Sequence, residues 1–295
     1  MSESKSQQTN GSNNNRVWFV TGASSGFGRA ISSAALERGD RVVATARDTD
    51  SVAELTERGD GRALALELDV TDAEAARAAF DEAVSRFGRV DVVVNNAGYG
   101  HIGAVEELTD DEWHQQLDVN LFGVINVTRA ALPQLRKQRS GHLVQMSSLN
   151  GVEGLPGGAY YSASKFAVEG LSESLADEVG HLGIDVTIVE PGPHRTRFAS
   201  DRSTKQADAI EDYAPSVGQT REAVGELDGN QPGDPERAAR AIIDAVEAED
   251  PPRRLALGQM AVDNIRAKLN AQLSELDEWA AVSASSDYPE EDEAG

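Results

Sequence analysis

The chain has 295 residues, no cysteine, and 50 acidic against 27 basic side chains, for a formal charge of −23. That length accommodates one large α/β domain or two small ones with a substantial core. So acidic a surface excludes a nucleic-acid binder, because phosphate backbones would repel it. Only five of the basic residues are lysine, and the acids are spread along the whole chain. We therefore expect a halophilic surface, typical of an acidic proteome, in preference to a docking face for a basic partner. No apolar run reaches the roughly 20 residues that cross a bilayer. The N-terminus lacks a basic-then-apolar signal pattern, and the absence of cysteine fits a reducing compartment. The expectation is a cytoplasmic protein with no membrane partner.

In chain order, residues 1–15 are polar and without periodicity, as in a disordered tail. Val17–Val20 is a short apolar run that reads as a buried strand. It breaks into Thr21-Gly22-Ala23-Ser24-Ser25-Gly26-Phe27-Gly28 and then into a helical pattern. Glycines at such a turn admit a close ligand, and the first N–H groups of the helix attract a diphosphate. A tight turn without any ligand would also select small residues. Arg41–Ala46 reads as a second strand closed by Arg47-Asp48, 50–58 as a short helix, and 62–68 as a third strand ending at Asp69-Val70. Thr71-Asp72 caps a helix over 73–87.

The strand at 91–94 runs into Asn95-Asn96-Ala97-Gly98. Thr109 opens a long helix to about Gln138, which Pro133 should bend. His142–Met146 is the next strand, ending in Ser147-Ser148, followed by a helix over 159–182 and a strand over 184–189 that stops at Pro191-Gly192. From His194 to Gly233 the sequence is polar and irregular, as in a functional loop. A helix over 235–249, a short strand over 254–257 and a long amphipathic helix from Met260 to about Val282 complete the pattern. Alternation of this kind predicts an α/β, doubly wound, Rossmann-type parallel sheet of about seven strands, with helices on both faces. We expect a single domain over 16–258 that includes the loop 194–233, a helix over 259–282 packed on it, and an acidic tail over 283–295.

Ligands of such sheets bind beyond the carboxyl ends of the strands, where six of the unusual segments fall. Tyr161 and Lys165 share a helix face, and a neighbouring ammonium should lower the phenol's pKa towards neutrality. A phenol tuned in that way can exchange a proton with a carbonyl oxygen, whereas Tyr-x-x-x-Lys alone is also an ordinary solvated pair. Ser148 ends the preceding strand and could aim at the same oxygen, or merely cap a turn. Asn120 sits within the long helix, where a short amide usually bonds its own backbone. The five histidines have no metal-ligand spacing, and surface positions are expected for them.

Taken together, Thr21-Gly22-x-x-x-Gly26-x-Gly28, Asn95-Asn96-Ala97-Gly98, Asn120, Ser148, Tyr161-x-x-x-Lys165 and Pro191-Gly192 resemble the short-chain dehydrogenase/reductase family over about residues 15–258. Ala44–Arg47, Glu190–Pro193 and the last helix resemble its 17β-hydroxysteroid dehydrogenase-like branch. The resemblance implies a nicotinamide-dependent oxidoreductase acting on a carbonyl or secondary alcohol. Tyr161 would be general acid/base, Lys165 would bind the ribose, Ser148 would hold the substrate oxygen, and Asn120 would hold a relay water. Gly22, Ser24, Ser25, Gly26, Phe27 and Gly28 would wrap the pyrophosphate. Arg47, Asp69, Val70, Asn95, Ala97 and Gly98 would line the adenosine side, and Pro191, Gly192 and Thr196 the nicotinamide.

Arg47, after Ala46 where an acid would select NAD, points to NADP. Asp48 and the lack of a basic residue in the glycine turn speak for NAD. Tyr99, Leu155, Tyr160 and Phe198 are candidate substrate walls. The resemblance further implies a homo-dimer or homo-tetramer. A catalytically silent sensor or scaffold on the same fold is the competing reading; it would be expected to lack Ser148, Tyr161 or Lys165.

Overall fold

The computed structural model describes residues 15–200 and 203–288. The polar tail, apart from Asn15, and the acidic end beyond Tyr288 lie outside the described residues. Seven parallel strands form one sheet in the order β3-β2-β1-β4-β6-β7-β9. These are β1 (Val17–Val20), β2 (Arg41–Ala46), β3 (Ala63–Glu67), β4 (Val92–Asn95), β6 (Gly141–Met146), β7 (Ile184–Pro191) and β9 (Arg254–Leu257). Two further short strands, β5 (Gly100–Ile102) and β8 (Thr204–Gln206), pair in parallel above the sheet.

Alternation within β1 explains both layers. Trp18 and Val20 join one fully buried cluster with Ile31, Ile242 and Ile243, beneath α1 (Gly26–Glu37) and α8 (Pro235–Glu247). Val17 and Phe19 point the other way, into a cluster with Phe80, Leu135 and Leu175. That second layer consists of α3 (Ala73–Phe87), α5 (Gly123–Gln138) and α6 (Ala159–Val179). Burial on both faces is why the strands read as continuous apolar runs. Each large apolar side chain so placed contributes about 1.5–3 kcal/mol.

Three departures from the sequence expectations bear on the site. First, the helix expected over 109–138 runs through without interruption but is not regular. Between α4 (Asp110–Leu117) and α5, residues Asp118–Phe122 form one wide π-type turn, while Pro133 lies within α5. Second, the described residues of 194–233 are structured. It contains β8, the apolar Val217 buried against Ile102 and Ala104, and α7 (Gln219–Leu227), and so forms a cap over one end of the sheet. Third, α9 (Gln259–Ala284) follows α2 (Ala53–Gly59) and the others in chain order but buries only Ala261, so its packing on the domain is confined to its start.

Candidate active site

The glycine turn links β1 to α1. Gly22 has φ +65° and Gly26 φ +56°, the left-handed region that glycine enters without strain. Thr21 and Asn96 lock the turn from below. The Thr21 hydroxyl accepts the N–H groups of Asn96 at 2.9 Å and Ala97 at 3.0 Å, while Asn96 Nδ2 donates to the carbonyls of Thr21 at 2.9 Å and Gly22 at 3.1 Å. A Cβ on Gly28 would lie 2.5 Å from both Asn96 Nδ2 and the Gly22 carbonyl oxygen. Ser25 stands at the helix N-cap without a side-chain cap bond, and the first turn of α1 carries no acid. Ser24, Ser25, Gly26 and Phe27 are partly exposed there. An uncapped N-terminus behind a glycine cradle fits an anionic diphosphate.

Thr196, at the start of the cap, packs over this turn: a Cβ on Gly26 would sit 3.3 Å from Thr196 Cβ. Pro191 ends β7, and the Gly192 N–H bonds Leu257 O at 3.0 Å. Arg47 is exposed just beyond β2, and its guanidinium helps hold the Asp69 carboxyl below the usual range, after the larger effect of the Thr71 bonds. Val70 is buried beside them. Asn95 is turned inward: its Nδ2 donates to Thr128 Oγ1 at 3.0 Å and Gln145 Oε1 at 2.9 Å. The sequence placed Asn95 on the ligand side, but its side chain ties β4 to α5 and β6. The clamp on the turn is Asn96, whose role the paired asparagines hinted at without distinguishing which one faces where.

At the neighbouring strand end, Ser148 is 7% exposed; its hydroxyl caps the following turn, accepting the Asn150 N–H at 3.1 Å, and lies close enough to the Tyr161 phenol to favour its ionised form. Lys165 lies one helical turn beyond Tyr161, with Nζ 5.8 Å from the tyrosine ring centroid and donating to Met146 O at 2.7 Å. Asn120 occupies the π turn. Its Oδ1 accepts the Tyr99 N–H at 3.0 Å, and its Nδ2 donates to Tyr99 O at 2.9 Å and Ser164 Oγ at 3.2 Å. The amide therefore bonds across the fold and not to its own helix. A Cβ on Gly98 would lie 3.2 Å from Asn120 Oδ1 and 3.7 Å from Lys165 Nζ, so both groups converge on that glycine. The sheet thus brings Asn120, Ser148, Tyr161 and Lys165 to one crevice beside the glycine turn.

The residues matching the short chain dehydrogenase family model run from 16 to 207. The chain belongs to the short-chain dehydrogenase family. It is 40% identical over 274 residues to the oxidoreductase BOA17 of Botryotinia fuckeliana, covering 92% of this chain and 99% of that protein. It is similar to a short-chain dehydrogenase from Streptomyces avermitilis, with TM-score 0.87, 46% identity, and coverage of 92% of this chain and 100% of that one. It also resembles an alcohol dehydrogenase from Thermococcus sibiricus complexed with 5-hydroxy-NADP, with TM-score 0.68, 26% identity, and coverage of 82% and 95%.

Electrostatics in this short-chain dehydrogenase differ from the sequence expectation. Burial pushes the Tyr161 phenol up to about 12, and the neighbouring Ser148 hydroxyl opposes it only in part. The lowered phenol expected from Lys165 is not found, because desolvation by burial dominates; the Lys165 ammonium donates to the Met146 carbonyl. Burial likewise takes Lys165 down to about 8, opposed by Glu169 one turn further along α6. Behind Lys165, Arg254 Nε reaches Glu169 at 3.2 Å and Glu190 at 3.5 Å. No spacing in the sequence signalled this group.

Of the expected walls, Phe198 lies nearest the phenol, its ring 5.5 Å from that of Tyr161, and Leu155 is 42% exposed. Tyr99 lies under Lys205, with Nζ 5.3 Å from its ring. Tyr160 points outward, stacked on Trp113 with its hydroxyl donating to Val105 O. His101, His142 and His194 are buried, against the expectation of surface positions. His194 donates from Nδ1 to Gly192 O at 2.9 Å and tilts against Phe27, joining the cap to the glycine turn.

Proposed function

We propose that this short-chain dehydrogenase is an NADP(H)-preferring oxidoreductase that interconverts a partly apolar carbonyl compound and its secondary alcohol, with Tyr161 as general acid/base. The observation that carries the reading is the placement of the Ser148 hydroxyl beside the Tyr161 phenol, with Lys165 one turn away, next to an uncapped glycine turn. Gly22, Ser24, Ser25, Gly26, Phe27 and Gly28 would hold the diphosphate. Arg47 would meet a 2′-phosphate, and Asp69, Val70, Ala97, Gly98 and the Asn95 backbone would line the adenosine. Pro191, Gly192 and Thr196 would support the nicotinamide. When bound, that ring supplies or accepts the hydride.

In the reducing direction Ser148 donates a hydrogen bond to the substrate oxygen, and Tyr161 delivers its phenolic proton to the same atom. A phenol held near 12 is protonated at neutral pH, as the acid role requires. Lys165 in its charged form favours the phenolate left behind. Asn120 and Lys165, converging on Gly98, would hold the water that returns the proton. The substrate would lie along Phe198 and Leu155. An apolar wall of this kind supports the 17β-hydroxysteroid dehydrogenase-like branch, without identifying a steroid.

Tyr161→Phe tests the reading. Turnover on a carbonyl and alcohol panel should fall about 10²–10⁴-fold, while NADPH binding, followed by fluorescence, changes little. Full activity in Tyr161→Phe would overturn the mechanism. Cofactor binding by the wild-type protein without turnover of any panel member would favour the silent sensor.

A further inference from the structure

The last helix leaves its apolar face unpartnered. α9 spans 26 residues, yet Ala261 in its first turn is its one buried residue. Beyond it Leu269 is 54%, Leu273 57% and Leu276 60% exposed. At 100° per residue, Val262, Ile265, Leu269, Leu273 and Leu276 share one stripe. The stripe begins in a shallow groove of about 310 Å³ against β9, lined by Ala256, Val262, Ile265 and Leu269. A helix with so little tertiary packing gains little stability from the rest of its own fold.

The charges beside the stripe identify its occupant. Arg266 and Lys268 lie in the first half of α9, and Glu275 and Asp277 in the second. Arg266 and Asp277 flank one side of the stripe, whereas Lys268 and Glu275 flank the other. Arg266 reaches Asp263 on its own helix at 3.5 Å, but Lys268 has no acid three or four residues away, and neither Glu275 nor Asp277 has a base at those spacings. In an antiparallel pair related by a two-fold axis, like flanks face each other. An axis between Ala271 and Gln272 then sets Arg266 opposite Asp277 and, at the same time, Lys268 opposite Glu275. The same register interleaves Leu269, Leu273 and Leu276 with their copies. A parallel pair would instead oppose like charges.

We propose that α9 is a homodimerisation element, pairing antiparallel with α9 of a second copy about an axis between Ala271 and Gln272. Pairing sets Lys268 and Arg266 against acids of the second copy in a chain that otherwise repels itself at −23. The first turn of α9 packs on Gly192 through Ala261, but the Leu269–Leu276 stripe lies beyond it, and the pairing does not depend on the proposed reaction.

The full chain is examined by sedimentation and light scattering at about 0.1 M salt, where exposed charges still interact over about 10 Å. Leu273→Glu should halve the native mass while circular dichroism and Tm are retained. Lys268→Glu and Glu275→Lys should each weaken association about tenfold, and the 1:1 mixture or the double variant should restore it. Because the chain has no cysteine, Gln272→Cys should form an intermolecular disulfide on oxidation, and Ala267→Cys, on the opposite face, should not. The proposal is overturned if Leu273→Glu keeps the wild-type mass, if the charge swap fails to restore association, or if the two cysteines cross-link equally.

Discussion

Glu107 and Arg221, 114 residues apart, form a buried ion pair at 2.9 Å that fastens the cap to the loop after β5. The carboxylate also accepts the N–H groups of Ile210 at 2.7 Å and Ala104 at 2.6 Å. Its side chain is fully buried. Burial alone would raise its pKa, but these donors outweigh that effect and hold it below the usual range.

Glu107→Ala leaves Arg221 and two N–H groups without their partner and should cost about 3–5 kcal/mol, read as a lowered urea midpoint. The pH dependence has a definite sign. A carboxylate with a lowered folded pKa contributes stability above about pH 4.5 that is lost as pH falls through the folded value. Tm curves of wild type and Glu107→Gln should therefore converge under acid, and a gap independent of pH would contradict the pairing.

Gly28→Ala places a methyl carbon 2.5 Å from the Gly22 carbonyl and from Asn96 Nδ2, where no relaxed contact exists. Overpacking at such a site costs about 1–3 kcal/mol. The turn should open, so dinucleotide binding measured by calorimetry should weaken by at least tenfold. Asn96→Ala, which removes the clamp without a clash, should weaken it less.

Arg47→Asp tests cofactor choice. The preference for NADPH over NADH in kcat/KM should fall by about 10–100-fold, consistent with about 1.4–2.7 kcal/mol for a lost charged contact. An unchanged ratio would move the 2′-phosphate contact to another residue.

Glu190 reports on the group behind Lys165. Burial, followed by the nearby Glu169, raises its carboxyl to about 7 against the pull of Arg254. Unfolded chain releases this proton near pH 4.5, while the folded protein retains it to about 7, so stability declines across that window and levels off above it. The Tm of Glu190→Gln relative to wild type should thus rise between pH 5 and pH 8. A constant difference would mean that Glu190 ionises normally in the fold.

The sheet was legible because its strands are buried on both faces and its turns carry glycine, so periodicity and chain breaks coincide. Tyr161, Lys165 and Ser148 could be placed because helix spacing and a strand end fix them locally. The cap was not legible: its elements are only three to nine residues long. They depend on Glu107, a contact more than a hundred residues away. Nor could the orientation of the Asn95–Asn96 pair be read, since strand alternation there ends in a turn. The Tyr161 pKa depends on desolvation, which does not follow from residue spacing.

The π turn at Asp118–Phe122 carries a consequence for how this chain can vary in length. Deleting one residue there would merge α4 and α5 into a single regular helix, but each residue adds about 100° of rotation. The Val124, Val127, Ala131 and Leu135 side of α5, now buried on the sheet, would swing towards solvent. The extra residue is therefore held from both directions, by the Asn120 bonds to Tyr99 before it and by the phase of α5 after it. Insertions and deletions should be excluded here.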